Sequence, residues 1–156
     1  MIVDKSGDKW KKPMFLGEYT HSVDPKGRVA IPVKFRPELA HGAVVTRGLD
    51  GCLFIYPQAE WQILAEKLKN LPITQADARA FVRLMFSGAF ELEIDKQGRV
   101  NIPAYLLKYA HVEKETVIAG LFNRIEIWSV KAWEEYRAQS EGKSDVIAEH
   151  LASLGI

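Results

Sequence analysis

Two short stretches of the sequence carry residue types that could do chemistry, and both have the form Asp-x-x-Gly-Arg. They occupy residues 24–28 and 95–99. Aspartate at the first position and glycine at the fourth favour a type I turn followed by a left-handed residue, as in a hairpin tip. An arginine on such a tip suits contact with a phosphate or with a guanine edge in the DNA major groove. The pattern therefore predicts two exposed hairpin tips, each presenting an arginine.

The two tips belong to a longer internal repeat. The sequence apolar-Asp-x-x-Gly-Arg-Val-x-Ile-Pro occupies residues 23–32 and returns 71 residues later at 94–103. For one copy, an aspartate and an arginine that simply pair across the turn and stiffen it remain an open interpretation. Aspartate and glycine alone make the turn, so the recurrence of the arginine favours a binding role.

Local charge has to support such a role, because the total charge does not. The 156 residues carry 21 Lys and Arg against 20 Asp and Glu, a net charge of +1, and 47% of them are hydrophobic, which indicates a globular core. The chain around the first tip sums to +3 and the chain around the second to +2, counting Asp24, Lys26, Arg28, Lys34 and Arg36, then Asp95, Lys96, Arg99 and Lys108. We expect two basic patches on a neutral protein.

Residue types typical of enzymes are scattered along the chain. The four histidines lack metal-ligand spacing, and no phosphate-binding loop or nucleophile motif occurs. The single cysteine, Cys52, stands beside Leu53 and Phe54 and is predicted to be a small buried apolar residue. Of the four tryptophans, Trp61, Trp128 and Trp133 lie in apolar patterns typical of a core or a subunit contact, whereas Trp10 does not. We expect no enzyme, catalytic residue, metal, cofactor or small-molecule substrate.

Each repeat unit reads as strand, tight turn, strand, short helix and two further strands. In the second unit, polar residues alternate with Leu92, Ile94, Val100 and Ile102, which is the period of a half-buried strand. Short helices are predicted after the prolines, over residues 33–40 and 104–110, and the next strands over 44–46 and 116–118. The predicted fold is mostly β with flanking helices (α+β).

The repeats suggest a division of the chain into five parts. We predict a first repeat at 18–62, a helical linker at 63–89 with a helix start at Thr74 to Asp77, a second repeat at 90–134 and a helical tail at 135–156. Residues 1–13 lack periodicity and precede a second plausible start at Met14, so we expect a flexible extension or a cloning remnant. The tail from residue 131 onward has a net charge of −2 and is not expected to face phosphate.

Neither repeat is large enough to bury a core alone. A unit of roughly 45 residues leaves strand edges unpaired, so two units must complete each other. The expected solution is one small barrel in which the repeats interleave their strands about a pseudo-twofold axis. The sequence shows no apolar stretch long enough for a membrane span and no secretion signal, and its single cysteine fits a reducing compartment. We therefore expect a cytoplasmic protein.

The doubled Asp-x-x-Gly-Arg and Val-x-Ile-Pro motifs, with Met14-Phe15-Leu16-Gly17 ahead of them, resemble the MraZ family of bacterial transcriptional regulators. The resemblance covers nearly all of the chain from Met14 onward. It implies two tandem swapped-hairpin domains of the AbrB and SpoVT type. It also implies a cytoplasmic, nucleoid-associated protein that forms ring-like homo-oligomers. Such a protein would bind double-stranded DNA at closely spaced direct repeats of a short G-rich box, in the promoter of the division and cell wall gene cluster.

The resemblance also implies which residues face DNA. These are Lys26 and Arg28 in the first tip and Arg99 in the second, with Asp24, Gly27, Asp95 and Gly98 as the residues that orient them. Gln97 stands where the first tip has Lys26, which predicts a weaker phosphate contact at the second tip. A non-catalytic, antitoxin-like interaction module of the same fold, gripping a partner through its tail, remains the alternative.

Overall fold

The computed structural model describes residues 14–155, and Trp10 and the predicted extension at 1–13 lie outside them. Within that range, eight strands form two antiparallel sheets. The strands are β1 (Phe15–Ser22), β2 (Arg28–Ala30), β3 (Ala43–Arg47), β4 (Leu53–Pro57), β5 (Phe90–Leu92), β6 (Arg99–Asn101), β7 (Glu115–Phe122) and β8 (Ile125–Ser129). The helices are α1 (Gln58–Lys69), α2 (Ala76–Gly88), α3 (Ala104–Tyr109), α4 (Val130–Gly142) and α5 (Ser144–His150). The predicted mostly β fold with flanking helices is confirmed.

The order of the strands shows the predicted pseudo-twofold relation between the repeats. The larger sheet has the order β1-β7-β8-β4-β3-β5, and the smaller is a ribbon of β2 and β6. Exchanging each strand for its equivalent in the other repeat (β1 for β5, β2 for β6, β3 for β7, β4 for β8) reproduces both orders. The axis passes through the pairs Phe54 with Glu126 and Val29 with Val100. The strands of the two repeats are thus interleaved, and the two sheets together enclose the core.

Two apolar cores explain why the central strands have almost no exposed residues. One core lies between the six-stranded sheet and the ribbon and includes Val29, Val100, Ile55 and Ile127. The other lies on the opposite face of the sheet, beneath α1, α2 and α4, and includes the residues Val44, Phe54, Tyr56, Trp61, Met85 and Trp128. A strand covered on both faces reads as a continuous apolar run, as Leu53–Pro57 does.

Two local predictions differ from the structure. The helix predicted over residues 33–40 is a pair of 3₁₀ turns, Val33–Phe35 and Pro37–Leu39, whereas the equivalent segment of the second repeat is the α-helix α3. Proline has no N–H for an α-helical hydrogen bond, and Pro37 takes the place that Lys108 has in α3. The linker helix α2 begins at Ala76 with Gln75 as its N-cap, so the predicted start at Thr74 is wrong.

Candidate nucleic-acid interface

The first tip is a tight turn built around the carboxylate of Asp24. Its Oδ1 accepts hydrogen bonds from the backbone N–H of Lys26 (2.9 Å) and of Arg28 (2.8 Å), and its Oδ2 accepts one from the Arg28 Nε (2.6 Å). Gly27 has a φ of +84°, the left-handed conformation that glycine adopts without strain. One carboxylate therefore both closes the turn and fixes the arginine.

The second tip repeats this arrangement almost atom for atom. Asp95 Oδ1 accepts from the backbone N–H of Gln97 and of Arg99, and Oδ2 accepts from the Arg99 Nε, all at 2.9 Å. Gly98 has a φ of +79°. Hydrogen bonds from the arginine's backbone N–H above all, and also from its side chain, hold the pKa of Asp24 and of Asp95 below the ordinary value. The carboxylates thus stay ionised at neutral pH.

The strand exchange brings the two arginines onto one surface. In the ribbon, Val29 pairs with Val100 and both point into the core, so the neighbouring side chains point outward. Arg28 lies opposite Asn101, and Arg99 lies opposite Ala30. The two arginines are therefore diagonal neighbours on the outer face of the ribbon, a position in which Cα atoms lie about 7–8 Å apart. Residues 71 positions apart in the sequence form one contact surface.

Each arginine keeps most of its donors for a ligand. The side chains of Arg28 and Arg99 are 33% and 29% exposed, and each uses only its Nε for the aspartate. Within residues 14–155, neither pair of Nη atoms has a hydrogen-bond partner. A guanidinium that is oriented at Nε and open at Nη can donate two parallel hydrogen bonds to one acceptor edge.

The surroundings of the tips correct the charge grouping made along the chain. Arg36, counted with the first tip, packs on the second: a Cβ placed on Gly98 would overlap the Arg36 guanidinium. Arg36 Nε donates to the carbonyl of Ile31 at 2.7 Å, which holds the side chain there. At the first tip, Gly27 instead faces Leu107 of α3. Strand exchange places the segment after each ribbon strand beside the other repeat's tip, which no count along the sequence can show.

The outer face of the ribbon is symmetric in its arginines and asymmetric elsewhere. Ala30 occupies the position in the first strand that Asn101 occupies in the second, and Lys26 in the first tip corresponds to Gln97 in the second. Asn101 is exposed. A DNA site facing this ribbon would meet the same arginine twice but different neighbours at its two ends.

Other candidate residues lie away from the tips. Cys52 is fully buried, and burial raises the pKa of its thiol, so the predicted small apolar role is confirmed. Trp61 and Trp128 are core residues, with Trp133 packed against the same core, as predicted. Among residues 14–155, no three His, Cys, Asp or Glu side chains are grouped closely enough to hold a metal ion.

A pseudo-twofold chain whose repeats exchange strands, and whose ribbon combines one strand from each repeat, is an α+β protein built from two interleaved copies of one unit. The family model described as "MraZ protein, putative antitoxin-like" matches residues 14–84 and 85–153. The chain belongs to the MraZ family.

Two curated relatives match this chain over almost their whole length. A protein of Alkaliphilus oremlandii is 56% identical over 143 residues, which are 92% of this chain and 100% of the relative. A protein of Pelotomaculum thermopropionicum is 54% identical over 143 residues, 92% of this chain and 99% of the relative. Both carry the name Transcriptional regulator MraZ. The names describe regulators, not enzymes, which confirms the expectation that the chain is not an enzyme. In the part that the structure describes, no helix is both long and apolar enough to cross a bilayer.

Proposed function

We propose that this protein is a sequence-specific DNA-binding transcriptional regulator that lays its β2–β6 ribbon in the major groove. The observation that carries the proposal is the pair of arginines on the outer face of the ribbon, each oriented by an aspartate and open at Nη. A major groove about 12 Å wide admits a two-stranded ribbon, and an arginine pairs with the O6 and N7 edge of guanine. The names of the relatives support the regulatory role.

Two guanines within one short site match this geometry. The arginine side chains start about 7–8 Å apart on the diagonal, which is within reach of base pairs two or three steps apart along the groove. Lys26 and Lys96 extend from the exposed tips on either side and suit phosphate contacts. The recognised element is a short G-rich box, as the family resemblance implies, and the residues that contact it are Lys26, Arg28 and Arg99.

One ribbon offers few contacts, so useful affinity requires several. Two arginines and two or three flanking cations make a small interface compared with those of specific DNA-binding proteins. Several copies held together and several boxes on one duplex would convert weak contacts into tight binding, because each further contact becomes intramolecular. A cytoplasmic, nucleoid-associated oligomer acting at repeated boxes in the promoter of the division and cell wall gene cluster fits this requirement.

The test compares duplexes of one length carrying no box, one box, two boxes or four boxes. Fluorescence anisotropy is measured across a salt series. We expect binding to tighten by about 100-fold or more from one box to two and to weaken steeply as salt rises. Equal affinity for all four duplexes would contradict sequence-specific recognition.

The exposed tail supports one alternative function, that of an antitoxin-like module that binds a partner protein. An antitoxin-like module would use residues 144–155 to grip a small partner protein, and every residue there is exposed. Such a protein would form a stable heteromeric complex and would not need the arginines of the ribbon. Loss of box binding in the Arg28 and Arg99 variants separates the two functions.

A further inference from the structure

Each tip glycine is covered by a side chain that belongs to the other repeat. The Arg36 guanidinium lies against Gly98 of the second tip, and the Leu107 side chain lies against Gly27 of the first. The two covering residues are 71 positions apart, which is also the offset between the tips, so they are equivalent positions of the repeat. Only one of the two carries a charge.

The backbone around the two tip glycines is the same. The N–H of Ile31 donates to the carbonyl of Gly98 at 2.8 Å, and the N–H of Ile102 donates to the carbonyl of Gly27 at 2.9 Å. These hydrogen bonds continue the β2–β6 ribbon by one residue at each end. The covering side chain therefore lies at the end of the ribbon, beside the tip. One backbone arrangement holds an arginine at one end and a leucine at the other.

Arg36 is fixed at one nitrogen and open at the others. Its Nε donates to the carbonyl of Ile31 at 2.7 Å, and the residue is half-buried. Within residues 14–155, its Nη atoms have no hydrogen-bond partner and no carboxylate forms an ion pair with it. Arg28 and Arg99 are likewise held at Nε and open at Nη. A guanidinium that is oriented and not neutralised suits a bidentate contact with an anion.

The place of Arg36 favours a phosphate over a base. The outer face of the ribbon carries the side chains of Arg28, Ala30, Arg99 and Asn101. Arg36 instead reaches the end of the ribbon from the pair of 3₁₀ turns that follows β2. A ribbon in the major groove has base edges below its outer face and sugar-phosphate backbones at the groove walls. A cation at the end of the ribbon therefore meets a wall of the groove.

Arg36 also changes the balance of charge between the tips. Each tip has one lysine and one arginine of its own, Lys26 with Arg28 and Lys96 with Arg99. Arg36 gives the second tip a third cation, whereas the leucine at the equivalent position gives the first tip none. The second tip thus carries more positive charge, although a glutamine stands where the first tip has Lys26.

We propose that Arg36 is a phosphate-binding residue of the second tip, supplied by the first repeat and seated on Gly98. The inference deepens the proposed function and rests on it, because it adds a backbone contact to the same DNA interface. It also gives the interface a direction, since the Arg99 end contacts the DNA backbone more strongly than the Arg28 end. A reader with two different ends distinguishes the two orientations of a box.

The first test replaces Arg36 by the residue that covers the first tip. Arg36→Leu keeps an apolar side chain over Gly98, and circular dichroism checks its folding. Fluorescence anisotropy with a one-box duplex and a scrambled duplex is measured across a salt series. We expect the slope of log affinity against log salt to become shallower by about 0.9, because one phosphate contact is lost. Both duplexes should then bind about 8-fold more weakly at about 0.1 M salt, a difference that vanishes near about 1 M, and the preference for the box should not change.

Two further variants separate charge from structure. The matched control is Arg79→Leu, since Arg79 also donates to one backbone carbonyl, that of Ile73, but lies on α2 at the other face of the six-stranded sheet. It should leave the salt slope unchanged. Arg36→Lys keeps the charge without the Nε hydrogen bond and should retain the slope. A purely structural Arg36 would lower the melting temperature in both Arg36 variants and leave both slopes at the wild-type value.

Leu107→Arg tests the inference as a gain. A cavity of about 620 Å³ beside the first tip is lined in part by Gly27, Ile102 and Leu107, so a longer side chain has room. The carbonyl of Ile102 is equivalent to that of Ile31 and is available to the new Nε. We expect the salt slope to steepen by about 0.9 and both duplexes to bind about 8-fold more tightly at about 0.1 M salt.

The outcomes distinguish this inference from the proposed function. A wild-type protein without preference for the box would refute sequence-specific recognition, while the slopes of the wild type and of Arg36→Leu can still be compared on the scrambled duplex. A folded Arg36→Leu variant with the wild-type slope would overturn the inference and leave the role of the ribbon intact. If that variant does not fold, Leu107→Arg decides, and the absence of a gain overturns the inference.

Discussion

Replacing Arg28 by alanine should weaken binding to a single G-rich box by about 5- to 150-fold. The Asp24 carboxylate holds Nε and leaves both Nη atoms for the DNA, so the substitution removes one complete bidentate contact. Such a contact contributes about 1–3 kcal/mol of discrimination between bases, and 1.4 kcal/mol is a factor of ten. The scrambled duplex should lose far less affinity, so the preference for the box shrinks while weak, salt-dependent binding remains.

Arg99→Ala should have an effect of the same size, because the second tip holds its arginine by the same three hydrogen bonds. The two side chains are diagonal neighbours on one ribbon, so the double variant tests whether they act on one site. We expect the double variant to bind the box duplex and the scrambled duplex equally. The melting temperature should change by less than about 4 °C, because a partly exposed ion pair adds little to stability.

Fluorescence anisotropy with a one-box duplex and a scrambled duplex of equal length is the assay. The matched control is Lys69→Ala, which removes one positive charge from α1 on the opposite face of the six-stranded sheet. It should leave both affinities unchanged. A folded Arg28→Ala variant that still prefers the box duplex as strongly as the wild type would refute the reasoning.

Further predictions address the turn, the phosphate contacts and the polarity of the site. Lys26→Ala should weaken binding to all duplexes alike and reduce the salt slope by about 1, measured by anisotropy against salt concentration. Gly27→Ala should lower the free energy of unfolding in urea more than Gly51→Ala does. Both glycines have a positive φ, so both substitutions strain the backbone. A Cβ at Gly27 would also lie 2.7 Å from the carbonyl oxygen of Ile102, whereas a Cβ at Gly51 meets nothing within 4 Å. Asn101→Ala makes the outer face of the ribbon symmetric, so it should reduce preference at one base pair by about 1–3 kcal/mol in a scan of single-base changes, and no change at any position would exclude a base contact. The folded-state pKa values of Asp24 and Asp95 are lowered, so the stability that these carboxylates contribute is complete above their ordinary pKa of 3.8 and is lost as pH falls through the lowered values. A ¹³C titration of the two carboxyl groups should place both midpoints below 3.8. A midpoint above 3.8 would contradict the hydrogen bonding at that tip.

Local residue chemistry determined the parts of this protein that depend on neighbours in the chain. Aspartate and glycine at the spacing of Asp24 and Gly27 specify the tip, and the alternation around Val100 specifies the strand that follows it. The repeat itself predicted the pseudo-twofold axis, because two units with unpaired edges must pair with each other. One difference between the repeats, Pro37 in place of Lys108, accounts for the absence of an α-helix after the ribbon strand of the first repeat.

Only the tertiary structure decided which residues share a surface. Strand exchange pairs Arg28 with Asn101, two residues after Arg99, and it moves Arg36 from its own tip to the opposite one. These contacts join residues more than 60 positions apart, and no local pattern encodes them. The physical reason is that the pairing of strands is set by how much of a whole strand face becomes buried and by whether every backbone N–H and C=O finds a hydrogen-bond partner. Both depend on the assembled sheet.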